Sequence, residues 1–192
     1  MDFSAEKREL FLMQQAYSTL MSAANKVENR ADKNIKGLTS RQYMAILAVL
    51  HLPPEETTIR NIAHKLGTTK QNANRLIAAI EKKGYLTVSG SKKDKRAVNI
   101  RVADSCLPVL LECAENGTAF LSDIFREFTE NELKTLWRLL KKLHRFDGQE
   151  YAGFEDDANR RLGGVDENLQ KKVFLAFRKT RNRQEDYHVC NG

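Results

Sequence analysis

The chain has 192 residues, 41% of them hydrophobic, and a formal net charge of +7. This composition supports a packed core and excludes an intrinsically disordered chain, and the length fits one domain with an appendage. No apolar run approaches the roughly 20 residues that cross a bilayer, and the first ten residues are too charged for a signal peptide, so we expect a cytoplasmic protein with no membrane contact.

A long first helix is predicted over residues 4–29. Its apolar side chains recur at alternating steps of three and four residues, which places them in a narrow seam along one face. The seam consists of Leu10, Met13, Tyr17, Leu20, Ala24 and Val27. A seam of this kind buries against another helix, either in the same chain or in a partner.

A shorter second helix is predicted after a capping box. In this box the side chain of Thr39 caps the helix and that of Gln42 reaches back to Thr39. The apolar residues that follow keep helical spacing up to Pro53, where a helix cannot continue. We therefore expect this helix to bury one face in the core.

Two further helices are predicted on either side of Gly67. The third helix begins after Thr57 or Thr58, and the fourth begins after Thr68 or Thr69, since each of these residues is a good N-cap. Glycine at the end of the third helix suits a tight turn. Two short helices joined in this way predict a helix-turn-helix.

A β-hairpin is predicted next, because apolar and polar residues alternate over residues 86–88 and 98–102 with a polar loop between them. A fifth helix follows over residues 105–128, and a sixth helix follows a second capping box at Thr129 and runs to about residue 146. Composition changes at residue 148. We interpret residues 148–192 as an appendage with a basic amphipathic helix, whose role the sequence leaves open.

The excess positive charge is concentrated in one segment. Residues 58–101 contain eleven basic and two acidic residues, so their net charge of +9 exceeds that of the whole chain. A basic footprint this concentrated indicates a polyanionic partner, whereas a merely solubilising surface would spread its charge.

The fourth helix is predicted to present a polar face opposite its apolar one. Glutamine and asparagine side chains pair with adenine edges and arginine pairs with guanine, so this face suits the DNA major groove. The candidate DNA-binding residues are Thr68, Thr69, Lys70, Gln71, Asn72, Asn74 and Arg75. Thr58 and Arg60, at the start of the third helix, are candidate phosphate contacts. The alternative is an ordinary amphipathic helix whose polar face is only solvated.

The hairpin tip packs four cations into six residues, which repel one another unless phosphates neutralise them. The candidate residues of this wing are Ser91, Lys92, Lys93, Asp94, Lys95 and Arg96. Asp94 is the single acid among them and is placed to orient Arg96 toward a minor groove.

The stretch from Leu38 to Val102 resembles the MarR family of winged-helix regulators. The residues that carry the resemblance are Leu38-Thr39-x-x-Gln42-Tyr43, Thr58-Ile59-x-x-Ile62-Ala63-x-x-Leu66-Gly67, Thr69-Lys70-Gln71-Asn72, Arg75-Leu76-Ile77, Glu81-Lys82-Lys83-Gly84-Tyr85-Leu86 and Ser91-x-x-Asp94-x-Arg96-Ala97-Val98. Helices of suitable length extend it over residues 4–146. The implied fold is mainly α with a small β-hairpin wing, that is, a winged helix-turn-helix flanked by long N- and C-terminal dimerisation helices.

The resemblance also implies a function and an organisation. Members are homodimers that bind double-stranded DNA at pseudo-palindromic operators, usually as repressors, and many respond to a small-molecule effector. The implied parts are a dimerisation helix (1–35), a DNA-binding lobe (36–103), further dimerisation helices (104–147) and the appendage (148–192). The alternative is a winged-helix protein-interaction module without operator binding.

Other candidate sites have weaker support in the sequence. By family analogy Met13, Tyr17, Tyr43, Met44 and Leu47 line an effector pocket, although core packing is the simpler interpretation. Cys106 and Cys113 favour buried packing over redox sensing. The four histidines have no i, i+4 pair, so we expect no metal and no cofactor. Phosphate loops and nucleophile elbows are missing from the sequence, and we expect no enzyme activity.

Overall fold

The computed structural model describes residues 3–90, 98–150, 153–154, 171, 174–175 and 177–178. Within these residues the chain is mainly helical, with one two-stranded antiparallel hairpin. The elements are α1 (Ser4–Asp32), α2 (Ser40–His51), α3 (Ile59–Lys65), α4 (Lys70–Lys82), β1 (Leu86–Gly90), β2 (Val98–Val102), a short 3-10 turn (Asp104–Cys106), α5 (Leu107–Ile124) and α6 (Glu130–His144). The predicted fold class is confirmed.

Threonine side chains cap four of these helices. Thr39 and Thr129 each form a complete capping box, with Gln42 and Glu132 reaching back to the cap backbone. Where two candidates stood open, Thr58 rather than its neighbour caps α3, and Thr69 rather than its neighbour caps α4. Each hydroxyl accepts a backbone N–H that would otherwise lack a partner at the helix start.

The core lies where α2, α3 and α4 pack around the hairpin. Ile46, Ile62, Ile80 and Ile100 are its largest fully buried aliphatic side chains, one from each of these elements. Burial of such side chains contributes about 2 kcal/mol each. The predicted alternation of the strands holds in register, since Leu86 pairs with Val102 and both Leu86 and Ile100 face inward.

The hairpin is also tied to the segment that precedes α3. The backbone N–H of Ile100 donates to the carbonyl oxygen of Thr57 at 3.0 Å, and Thr57 itself is buried. This bond extends the hydrogen-bonding of β2 beyond the hairpin. It therefore fixes the hairpin relative to the helix-turn-helix.

The terminal helices are packed much less tightly than this core. In α1 only Ala31 is buried, and within α6 no residue is buried. An exposed ion pair between Arg30 and Asp123, at 3.4 Å, links α1 to α5. The described helices include none long and apolar enough to cross a membrane.

The predicted end of α5 differs from the structure, and the predicted helix of the appendage lies mostly outside the described residues. Helix α5 ends at Ile124, four residues earlier than predicted, because the chain turns at Phe125, whose carbonyl accepts the N–H of Phe128 at 3.1 Å. The predicted helix in the appendage lies largely outside the described residues, although the few described positions from 171 to 178 are helical.

Candidate nucleic-acid interface

The turn between α3 and α4 is built on Gly67. This residue has a φ of +60°, in the left-handed region that glycine adopts without strain. The N–H of Gly67 donates to the carbonyl of His64, and that of Thr68 donates to the carbonyl of Ala63 at 2.9 Å. These bonds close the end of α3 and send the chain directly into α4. The predicted helix-turn-helix is thus present.

Helix α4 has one buried face and one polar face. Ala73, Ile77 and Ile80 are buried, which fixes the helix against the core. The opposite side exposes the predicted readers Lys70, Gln71, Asn72, Asn74 and Arg75. Had these side chains packed inward, a base pair would have been unable to reach them.

Two of the predicted residues at the start of α4 hold the local structure. The hydroxyl of Thr69 accepts the N–H of Asn72 at 3.2 Å as the helix cap. Thr68 is half-buried, and its hydroxyl accepts a hydrogen bond from the side-chain amide of Asn72 at 3.4 Å. This contact orients the Asn72 amide over the first turn of the helix.

The C-terminal end of α4 is held by Lys83, for which the sequence predicts no structural contact. Its ammonium donates to the carbonyl of Gly37 at 2.7 Å and to Oε1 of Gln42 at 2.8 Å. Since the Gln42 oxygen also accepts the backbone N–H of Thr39, Lys83 joins the end of α4 to the start of α2. A lysine just past the last turn of a helix is a local hint, but its partners lie more than 40 residues away.

The side chains of the two predicted phosphate contacts differ in their exposure to solvent. The hydroxyl of Thr58 accepts the N–H of Asn61 at 3.2 Å, so it serves as the cap of α3. Arg60 is exposed. It lines a shallow surface depression with Lys70, and the other residues of this depression are Asn61, Ala63, His64, Thr68 and Gln149.

The predicted wing residues, Ser91, Lys92, Lys93, Asp94, Lys95 and Arg96, lie outside the described residues. The strands on either side are described, and Gly90 pairs with Val98 as the last pair of the hairpin. Arg101, on β2, is exposed. The base of the predicted wing therefore stands beside α4, since β1 and α4 are in contact.

The residues predicted to line an effector pocket separate into two groups. Tyr43 and Leu47 are half-buried and pack against the core, and burial raises the pKa of Tyr43 to about 12. Met13 and Tyr17 are strongly exposed on α1, and Met44 is 39% exposed. Two shallow depressions on the described surface are lined by other residues.

The two described cysteines are buried thiols. Burial raises the pKa of Cys106 to about 11, and it also raises the pKa of Cys113. Both thiols therefore stay protonated near neutral pH, which fits the predicted packing role. Among the described residues, no three or more histidine, cysteine or acidic side chains are grouped so as to hold a metal ion.

Comparison with known proteins shows a family match over one part of the chain and a shared fold over most of it. Residues 36–97 match a sequence model of the MarR family. Among solved structures, the chain is similar to Sco3205, a MarR family transcriptional regulator from Streptomyces coelicolor in complex with DNA, with 18% identity and a TM-score of 0.63 over 69% of this chain and 85% of that one.

Two further structures share the fold. A MarR/EmrR family transcriptional regulator from Acinetobacter sp. ADP1 is 23% identical, with a TM-score of 0.62 over 72% of this chain and 99% of that one. The PcaV transcriptional regulator from Streptomyces coelicolor, in complex with its natural ligand, is 15% identical, with a TM-score of 0.57 over 77% and 97%. Residues 36–97 are therefore similar to the MarR family, and the chain shares the winged helix-turn-helix fold of these solved structures.

Proposed function

We propose that this chain is a homodimeric transcription regulator that binds double-stranded DNA at a pseudo-palindromic operator and acts as a repressor. The observation that carries the proposal is the exposed polar face of α4, with Gln71 and Arg75 held outward by the buried opposite face. A recognition helix requires this arrangement, because base edges are read by side chains that enter the major groove.

In this proposal the other predicted residues position the duplex. Lys70, Thr69 and the start of α4 contact a phosphate, and Arg60 contacts a second phosphate beside the depression. Asn72 and Asn74 flank the base-reading face. The wing cations contact the adjoining minor groove through Arg96, with Asp94 steadying it. The net charge of +9 over residues 58–101 supports this assignment.

The homodimer is supported by the uncovered apolar surface of the terminal helices. Tyr17 is 67% exposed on α1 and Trp137 is 51% exposed on α6. Large apolar side chains exposed on helices that bury almost nothing within the chain favour an interaction site. We therefore propose residues 1–35 and 104–147 as the dimerisation parts around the DNA-binding lobe, residues 36–103.

A small-molecule effector is the third part of the proposal. PcaV was solved with its natural ligand, which shows that this fold accommodates one. In this chain the residues proposed for that site are Tyr43, Met44 and Leu47 of α2 and Met13 and Tyr17 of α1, of which Met13 and Tyr17 are strongly exposed in the single chain. An effector bound there would act by changing how the lobes stand relative to the dimerisation helices.

Binding to the DNA upstream of the chain's own gene tests the proposal, with an unrelated duplex of equal length as reference. We expect Arg75→Ala and Gln71→Ala to lower the preference for the upstream duplex by about 1–3 kcal/mol each, since each substitution removes a base contact. Arg96→Ala should instead weaken binding to both duplexes. Fluorescence anisotropy titrations at two salt concentrations would measure both effects.

Arg138→Ala is the matched control, because Arg138 is an exposed arginine of α6 outside the helix-turn-helix. It should leave the preference unchanged. A parent chain that binds neither duplex even at low salt would contradict the proposal and favour a protein-interaction module.

A further inference from the structure

The segment after α6 returns to the helix-turn-helix. At the end of α6, the His144 ring lies beside the turn, where a Cβ on Gly67 would stand 3.2 Å from its Nε2. Farther along the chain, Gln149 lines the depression on α3, and Gly153 and Phe154 contact Lys65. We call residues 147–150 and 153–154 the strap.

Lys65 and His51 form the anchor of the strap. Lys65 is the last residue of α3 and only 4% exposed, which is unusual for a lysine. Its ammonium donates to the carbonyl of Gly153 at 2.5 Å and lies 5.2 Å from the centre of the Phe154 ring. The same ring meets His51 edge-on at 5.4 Å. A backbone acceptor and an aromatic face together stabilise this buried cation.

The strap also reaches the proposed DNA-binding surface. Gln149 shares the depression with Arg60 and Lys70, the two cations that we assign to phosphates. A phosphate entering this depression meets Gln149 there. The strap and a DNA backbone therefore share the same space beside α3 and α4.

The charge of this part of the chain opposes DNA as well. Asp147 and Glu150 are exposed on either side of Gln149, and the described residues of the strap include no basic one. Carboxylates held within about 10 Å of a phosphate site repel the phosphate at physiological salt.

We propose that the strap is an intramolecular competitor of DNA: anchored by Phe154 against Lys65 and His51, it covers part of the surface around Arg60 and Lys70 and lowers DNA affinity until it is released. This inference rests on the proposed function. The segment that covers the surface around Arg60 and Lys70 is the strap of the same chain.

The docking is tested first without DNA, by mass-spectrometric mapping of lysine acetylation on the full chain. In the parent we expect Lys65 to react much more slowly than the exposed Lys70. Phe154→Ala removes the ring of the anchor and should raise the Lys65 rate at least fivefold. Phe174→Ala is the matched control, since Phe174 is 67% exposed in the same tail, and it should change nothing. Equal rates at Lys65 and Lys70 in the folded parent would overturn the proposal.

DNA affinity of the same proteins tests the competition. At low salt, Phe154→Ala should bind duplex DNA about three- to tenfold more tightly than the parent, and Phe174→Ala should bind as the parent does. The gain should shrink as salt rises, because it comes from charge and phosphate contacts. The proposal would be overturned if Phe154→Ala raises the acetylation rate of Lys65 as expected but the unmodified variant binds DNA no more tightly than the parent.

A second variant separates charge from anchoring. Asp147→Asn combined with Glu150→Gln keeps Phe154, so Lys65 should stay protected while DNA affinity rises about two- to threefold at low salt. No rise at low salt would overturn the electrostatic part. If Lys65 is protected as expected but neither parent nor variants bind any DNA, the proposed function fails and the inhibitory role fails with it, while the docking of the strap stands.

Discussion

At the scale of single residues, the helix-turn-helix depends on a left-handed backbone conformation that glycine adopts without strain. Gly67 has a φ of +60° and faces the His144 ring, so it meets both a conformational and a steric demand. Gly84, at the end of α4, has a φ of +77° but open space around its Cβ position. Substituting each glycine in turn therefore separates the energetic cost of a left-handed backbone from the cost of the contact with His144.

We predict that Gly84→Ala lowers the free energy of unfolding by about 1 kcal/mol, the cost of a left-handed residue with a Cβ. Gly67→Ala should cost more, about 2 kcal/mol, because its methyl group also displaces His144. Urea unfolding of both variants would measure the difference, and adding His144→Ala to Gly67→Ala should bring its cost down to that of Gly84→Ala. Equal losses in the two single variants would show that the His144 contact carries no energy.

At the scale of the elements, helix starts are the part of the fold that the sequence predicts best. The caps at Thr39 and Thr129 are fixed by residues three positions apart, so a local pattern contains all the information. The end of α5 carries no such signal, and it was predicted four residues too late. Likewise, a local pattern does not decide between the adjacent threonines before α3 and α4, since either residue of each pair is a good N-cap.

The capping box of α2 offers a test at this scale. We expect Thr39→Ala to lower the free energy of unfolding by about 1 kcal/mol, because it leaves the N–H of Gln42 without its acceptor. Thr39→Ser keeps the hydroxyl and is the control, with an expected loss under about 0.5 kcal/mol. Thermal unfolding followed by circular dichroism would compare them. A serine variant as unstable as the alanine variant would rule out the cap as the cause.

At the scale of the whole molecule, contacts between distant parts of the chain were the ones that the sequence did not predict. The polar face of α4 follows from helical periodicity, and its exposure agrees with expectation. The partners of Lys83 and Lys65, by contrast, lie 41 and 88 residues away along the chain. A lysine in the sequence is expected to be solvated, and only the folded chain shows two of these lysines holding its parts together.

The assembly of the chain is also a question at this scale. We predict that the parent sediments at about twice its 22.0 kDa mass, and that Tyr17→Glu raises the dimer dissociation constant at least about tenfold by placing an unpaired charge in an apolar contact. Gln15→Glu introduces the same carboxylate on the opposite side of α1 and should leave the dimer intact. Sedimentation velocity over a concentration series would decide. An unaffected Tyr17→Glu dimer would remove this face of α1 from the interface.

The burial of Lys65 beneath Phe154 has a practical consequence for anyone who trims the protein. Cutting the chain after α6 would remove Phe154 and so uncover the ammonium group of Lys65 at the end of α3. The surface of α3 beside the helix-turn-helix would then carry one more exposed cation than it does in the intact chain.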